Sequence, residues 1–206
     1  MTSEWFRNTT WNESVERAFN EKLGRARRKE QYLRIQACTL ARSHPKVALK
    51  LLDRYFELPD DFDHAQAHVD RATAFLALGR VGDAITAYEA TLTREVVFRK
   101  LQTQAYLDLP YTVATRGIRE QYSRALELLH LHESRLKFPV DRFRWHAAHA
   151  LIAADTRETE ASQVHAQRAL EAAAIEKSGF RYHPSIGLVT EQYDGVIKKL
   201  EALSAA

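Results

Sequence analysis

Residues 72–92 read ATAFLALGRVGDAITAYEATL, a cadence of small residue, aromatic, glycine, alanine and aromatic. Ala72 and Phe75 lie three apart, so they share one helix face, and Ala84 and Tyr88, four apart, share a face of the next helix. Gly79 stands between them where a helix would stop. The stretch therefore predicts two helices that approach closely at Ala72 and Ala84 and pack through Phe75 and Tyr88. Whether it is one hairpin or one copy of a repeat decides how the rest is read. A repeat builds a surface for a partner rather than a pocket for chemistry.

Composition agrees with helices throughout. The chain has 206 residues, 45% of them hydrophobic, which is enough to bury a substantial core as one domain or one continuous array. With 7 Gly and 5 Pro, few alternating Val/Ile runs and abundant Ala, Leu, Glu and Arg, an all-α fold is expected. The N-terminal MTSEWFRNTT lacks the charge and apolar pattern of a signal peptide, and no run of 18 apolar residues occurs. The expectation is a soluble, cytoplasmic protein with no membrane partner. One cysteine, Cys38, builds neither a disulfide framework nor a zinc knuckle and reads as a small core residue.

Copies of the opening pattern recur at the same phase. KVALKLLDRYFELPDD places Ala48 and Leu52 where Ala84 and Tyr88 stand, with Tyr32, Ile35 and Gln36 on the preceding helix. YSRALELLHLHESRLKFP offers Ala125 and Leu129. ETEASQVHAQRALEAA offers Ala161 and His165, preceded by Trp145, Ala148, His149 and Ile152. Ala48, Ala84, Ala125 and Ala161 are 36, 41 and 36 residues apart. The pattern, with Ala84-x3-Tyr88 as its clearest copy, resembles the tetratricopeptide repeat, in which a helix with W-x2-L-G-x2-Y is followed by one with A-x3-F at a period of about 34 residues. His68 and Arg71 depart from the apolar consensus.

The enlarged period is assigned to an irregular turn in the third hairpin. Helical periodicity runs through Val97, Phe98, Leu101 and Ala105, and LDLPYTVATRG, residues 107–117, breaks it with Pro110 and Gly117. At the N-terminus, Thr10 to Glu13 reads as a capping box that starts a helix through Val15, Ala18, Phe19 and Leu23. At the other end KSGFRYHPSIG reads as a loop, with Phe180 and Tyr182 as anchors for a final helix marked by Val189, Tyr193, Val196, Ile197, Leu200 and Leu203. The expected organisation is one domain over 1–206: a capping helix in 1–28, hairpins over 29–176, and a loop plus capping helix over 177–206.

The resemblance implies a right-handed superhelix of about four helix pairs whose first helices line a concave groove for a protein or peptide. Carried over residue by residue, the groove positions are Leu33, Arg34, Ala37 and Leu40, then Gln66, Val69, Thr73 and Leu76, then Arg99, Gln102 and Tyr106, then His146, Ala150 and Ala153. The apolar members read equally well as core. Arg34 and Gln66 stand out because polar side chains in a groove are available to a partner. Small bacterial arrays of this family act as adaptors, secretion chaperones or toxin-neutralising proteins, so a non-enzymatic binding role is implied.

The chemistry-bearing residues do not form a known catalytic motif. G-x-x-x-x-G-K-[ST], G-x-G-x-x-G, H-E-x-x-H and G-x-S-x-G are all missing, so no catalytic residue and no cofactor are expected. His146 and His149 are three apart on one predicted helix, with His130 and His132 on the helix before, but no cysteine or spaced carboxylate completes a metal set. Residues 21–50 carry nine Lys/Arg against Glu21 and Glu30, while 51–70 carry six acids against Arg54. The basic stretch, centred on Arg25, Arg27, Arg28 and Lys29, predicts steering of an acidic protein. Its alternative reading is nucleic-acid binding, with Tyr32 as a stacking aromatic. A homodimer through the outer hairpins is a third class.

Overall fold

The structure, a computed structural model, describes residues 4–59, 63–98 and 100–205. Among the described residues ten α-helices run in chain order: α1 (Glu13–Arg25), α2 (Lys29–Leu40), α3 (Pro45–Phe56), α4 (His64–Ala77), α5 (Val81–Val97), α6 (Ala105–Arg116), α7 (Tyr122–Leu131), α8 (Pro139–Asp155), α9 (Thr159–Ala173) and α10 (Asp194–Ser204). No strand occurs among the described residues, so the all-α expectation holds. The chain divides into two compact units, residues 1–105 and 106–206.

In the first unit α2 packs on α3 and α4 on α5, the pairs that the opening pattern predicts. Ala48, Ala72 and Ala84 are fully buried, which is what close helix approach requires. Phe19, Leu23, Leu33, Ala37, Leu40, Leu52 and Tyr55 form the core, flanked by Trp5, Phe6, Trp11 and Tyr32. The start of α1 differs from the expected capping box. Asn12, extended at φ −148° and ψ 175°, accepts the Val15 amide on its Oδ1 at 3.0 Å, so Asn12 and not Thr10 is the cap.

The third hairpin is where the expectation fails. Helix α5 stops at Val97, and residues 100–104 are irregular, tied back by the Glu95 carboxylate, which accepts from the Thr103 amide and hydroxyl, both at 2.6 Å. The expected loop at 107–117 is instead α6, with Pro110 inside it. Proline removes only the bond to the Tyr106 carbonyl. Burial of Ala105, Tyr106, Leu107, Leu109, Val113 and Ala114 outweighs that loss. The extra residues of the long period thus precede α6.

In the second unit α8 packs along α9, and α10 lies on both. Ala125 and Leu129 of α7 are fully buried, as expected. In α9 the register is one residue later than the sequence reading. Ser162 is buried and donates its hydroxyl to the Ala150 carbonyl at 3.1 Å, and Ala166 is buried, while Ala161 and His165 are only half-buried. Leu200 anchors α10, with Val189, Tyr193, Val196, Ile197 and Leu203 around it.

One turn recurs three times. At the ends of α4, α6 and α8 the residues Gly79, Gly117 and Arg157 take φ of 73°, 67° and 67°. Each is followed by an amide that returns to the last turn: Arg80 to the Phe75 carbonyl at 2.9 Å, Ile118 to Val113 at 3.1 Å and Glu158 to Ala153 at 2.8 Å. The amides of the left-handed residues themselves reach Leu76, Ala114 and Ala154, completing the same paired closure each time. Arg157 holds it without glycine.

Candidate functional site

The groove positions proposed from the sequence separate into three groups. Ala37 and Ala150 are fully buried and Tyr106 nearly so, as are Leu33 and Leu40, so these residues are core and present no face to a partner. The reason is geometric: a small or apolar residue on the face between paired helices is where neighbouring helices close. Val69 and Thr73 are half-buried on α4, where the Thr73 hydroxyl donates to the Val69 carbonyl at 3.1 Å. Gln102 is exposed in the irregular segment rather than on a helix. Arg99 lies outside the described residues.

Arg34 and Gln66 are engaged internally. The Arg34 guanidinium spans α2 and α4, donating to Asp63 at 3.1 Å and to Asp70 at 3.4 Å, and Gln66 donates to the other Asp70 oxygen at 3.3 Å. The Asp70 side chain is 5% exposed. Desolvation raises its pKa, against the opposing pull of Arg34, Gln66 and the Cys38 thiol. These residues clamp two helices and are not free for a ligand. Cys38 is exposed on α2 rather than in the core, and desolvation together with Asp70 pushes its thiol up to about 11. Both effects favour the protonated thiol over the thiolate.

The α8–α9 pair gathers the histidines. Trp145 donates its indole N–H to the Leu129 carbonyl at 3.0 Å, which fixes the ring against α7. His149 packs on Trp145 with centroids 4.1 Å apart, and His165 of α9 stacks on His149 at 4.6 Å with 13° between planes. The Nδ1 atoms of His146 and His165 are 3.0 Å apart, so one carries a proton and the other accepts it. Burial is the first cause of low basicity in all three. It is reinforced at His146 by His165, Arg168 and Arg142, and at His149 by His165 and His146, holding both at about 4. His149 Nε2 is buried with no hydrogen-bond partner.

His130 and His132 do not join this group. His130 is exposed, and the His132 ring packs on Tyr106. His165 is the member the sequence reading missed, because it was placed by its repeat position and not by its chemistry. Among the described residues no three His, Cys, Asp or Glu side chains converge as a metal set.

Beside the imidazoles, Arg142, His146, Arg168, Glu171, Ala172 and Ile175 line an open hollow of about 400 Å³. Arg142 and His146, four apart, share a face of α8, and Arg168, Glu171, Ala172 and Ile175 follow one face of α9 and its continuation. Among the described residues Arg142 and Arg168 make no ion pair, and both are exposed. Of the basic patch in the first unit, Arg25 pairs with Glu21 at 2.9 Å. Arg27, Arg28 and Lys29 are exposed where α1 meets α2, without an ion pair among the described residues.

The 178–187 loop is docked by other means than the sequence suggests. Gly187 accepts the Val140 amide at 2.8 Å, and Phe180 stacks on Phe138 with centroids 5.4 Å apart. Tyr182 is 80% exposed and so is no anchor for α10. Val189, Tyr193 and Leu200 do that work. No helix among the described residues is long and apolar enough to cross a membrane. Compared with known proteins, the chain matches no family model, no curated protein and no solved structure.

Proposed function

We propose that the protein is a non-enzymatic, tetratricopeptide-like adaptor that binds a segment of another protein, in the manner of a cytoplasmic scaffold, secretion chaperone or toxin-neutralising protein. Paired helices with a thrice-recurring turn support the repeat reading. A right-handed superhelix is the arrangement such pairs adopt in that family. The single observation that carries the binding site is the hollow of the second unit. There two guanidiniums are exposed without an ion pair among the described residues, beside the His146 ring that pairs with His165, whereas Arg34 and Gln66 are spent on Asp63 and Asp70.

An acidic segment suits this site, because an arginine fork with no internal acid is disposed to accept one from outside. Affinity capture from native lysate with the wild-type chain and with Arg142→Glu/Arg168→Glu, followed by mass spectrometry, tests the reading. A protein recovered with the wild type and lost with the double variant is the expected outcome. A bound set identical for both baits would contradict it.

The exposed Arg27, Arg28 and Lys29 favour a second reading, nucleic-acid binding at the α1–α2 joint. Binding of random single-stranded DNA that weakens steeply with salt and is lost in Arg27→Glu/Arg28→Glu would promote it.

A further inference from the structure

We propose that the hollow between α8 and α9 is an oxyanion site that takes a phosphate monoester borne by the partner segment. This rests on the adaptor reading and names the chemistry that the segment carries. Two guanidiniums, from Arg142 and Arg168, and the His146 ring line one open cavity. A carboxylate brings two oxygens and a single negative charge, and one arginine fork can engage both oxygens and balance that charge. A terminal phosphate offers three acceptor oxygens and about two negative charges, enough to engage both forks and the imidazole together. Ala172 and Ile175 supply an apolar floor for the residue beside the phosphate.

The proton arrangement fits a donor role for His146. Its Nδ1 faces Nδ1 of His165, which leaves Nε2 for a ligand. When His165 donates across that contact, His146 is the Nε2–H tautomer and its free nitrogen donates. An oxyanion selects this tautomer, whereas the opposite one would set a lone pair against it.

Charge bookkeeping gives a further handle. Glu171, which accepts from Gln167 at 3.3 Å, is the one acid lining the hollow among the described residues, so Arg142, Arg168 and Glu171 together leave one positive charge. A dianion brings that sum to one negative charge. Uptake of a proton by the His146–His165 pair neutralises it. The charged and titratable groups facing His146 are His165, Arg168, Arg142 and Glu171, with His149 stacked behind His165. Anion binding is therefore coupled to proton uptake.

The full-length chain would be titrated calorimetrically at low salt with sodium sulfate, inorganic phosphate, and the peptide acetyl-Ala-phosphoSer-Leu-amide with its unphosphorylated counterpart. Sulfate does not titrate between pH 6 and 8, so its pH dependence reports the protein alone. Expected are dissociation constants of roughly millimolar for the free anions, tighter sulfate binding at pH 6 than at pH 8, and about tenfold tighter binding of the phosphopeptide than of phosphate. Arg142→Gln or Arg168→Gln should each weaken binding about tenfold, with Arg142→Lys close to Arg142→Gln because the fork is lost. Nitrogen-15 shifts should place the bound His146 proton on Nε2.

Equal binding of sulfate by wild type and by both glutamine variants, or no binding at all, would overturn the site. A phosphopeptide bound no better than its unphosphorylated form would overturn the phosphate assignment, and one bound no better than free phosphate would remove the partner-borne part. Arginine-dependent sulfate binding in a protein that captures nothing from lysate would leave the site standing and sink the adaptor reading. Arg17→Gln, at an exposed position of α1 in the other unit, is the variant expected to titrate like wild type.

Discussion

Arg34 shows how a residue can be readable as a position and unreadable as a role. Its place on the first helix of a hairpin is legible from spacing, but its partners, Asp63 and Asp70, lie 29 and 36 residues away and become neighbours only through the fold. Its guanidinium is 19% exposed against an Asp70 side chain that is 5% exposed. Arg34→Ala therefore leaves a buried carboxylate without its cation, with the Gln66 amide and the Cys38 thiol still donating to it, and should cost about 2–4 kcal/mol in urea unfolding. Pairing it with Asp70→Asn should recover much of that loss, and an unchanged midpoint for Arg34→Ala would show the clamp to be idle. The histidines give a second residue-scale test. His146 and His149 fall to about 4 in the folded chain from an ordinary 6.5, so between those values the unfolded chain binds more protons and stability rises with pH. The unfolding midpoint should drop from pH 7 to pH 4.5, and His149→Phe/His165→Phe should flatten that slope. A slope equal in wild type and variant would contradict the assignment.

At the scale of elements, helix pairing is the most legible feature, since small residues at the contact and aromatics one turn away are a local pattern. Two features were hidden for stated physical reasons. Pro110 and a Tyr-Thr-Val run argue against a helix on propensity, yet α6 forms because most of its side chains are buried, a tertiary effect that no local pattern carries. The α9 register slipped by one because Ser162, a polar residue, takes the place expected of alanine by donating to the Ala150 carbonyl. The recurring turn supplies a prediction of its own. Arg157 adopts φ 67° where Gly79 and Gly117 stand elsewhere, a conformation that costs a side chain about 1 kcal/mol or more. Arg157→Gly should raise stability by about 0.5–1 kcal/mol, and Gly79→Ala should lower it by about 1 kcal/mol. Thermal unfolding of both variants checks the pair, and destabilisation by Arg157→Gly would show that the arginine side chain matters more than its backbone.

Across the whole molecule, charge was legible as a count and not as an available surface. Of the nine basic residues between 21 and 50, Arg34 is internal and Arg25 is paired, and of the seven others, all exposed, Arg27, Arg28 and Lys29 are consecutive and form a cluster. That cluster is suited to steering, while the hollow of the second unit is suited to holding. The two roles separate kinetically, because exposed charge acts mainly on association and is screened by salt. If Arg142 and Arg168 hold the partner, the affinity and rates of a captured partner, read by biolayer interferometry for wild type, Arg142→Glu/Arg168→Glu and Arg27→Glu/Arg28→Glu at equal salt, will report it. The first double variant should lose at least about tenfold in affinity, mostly through faster dissociation, while the second should slow association and leave dissociation nearly unchanged. Dissociation from the Arg142→Glu/Arg168→Glu protein at the wild-type rate would contradict a holding role for the two arginines.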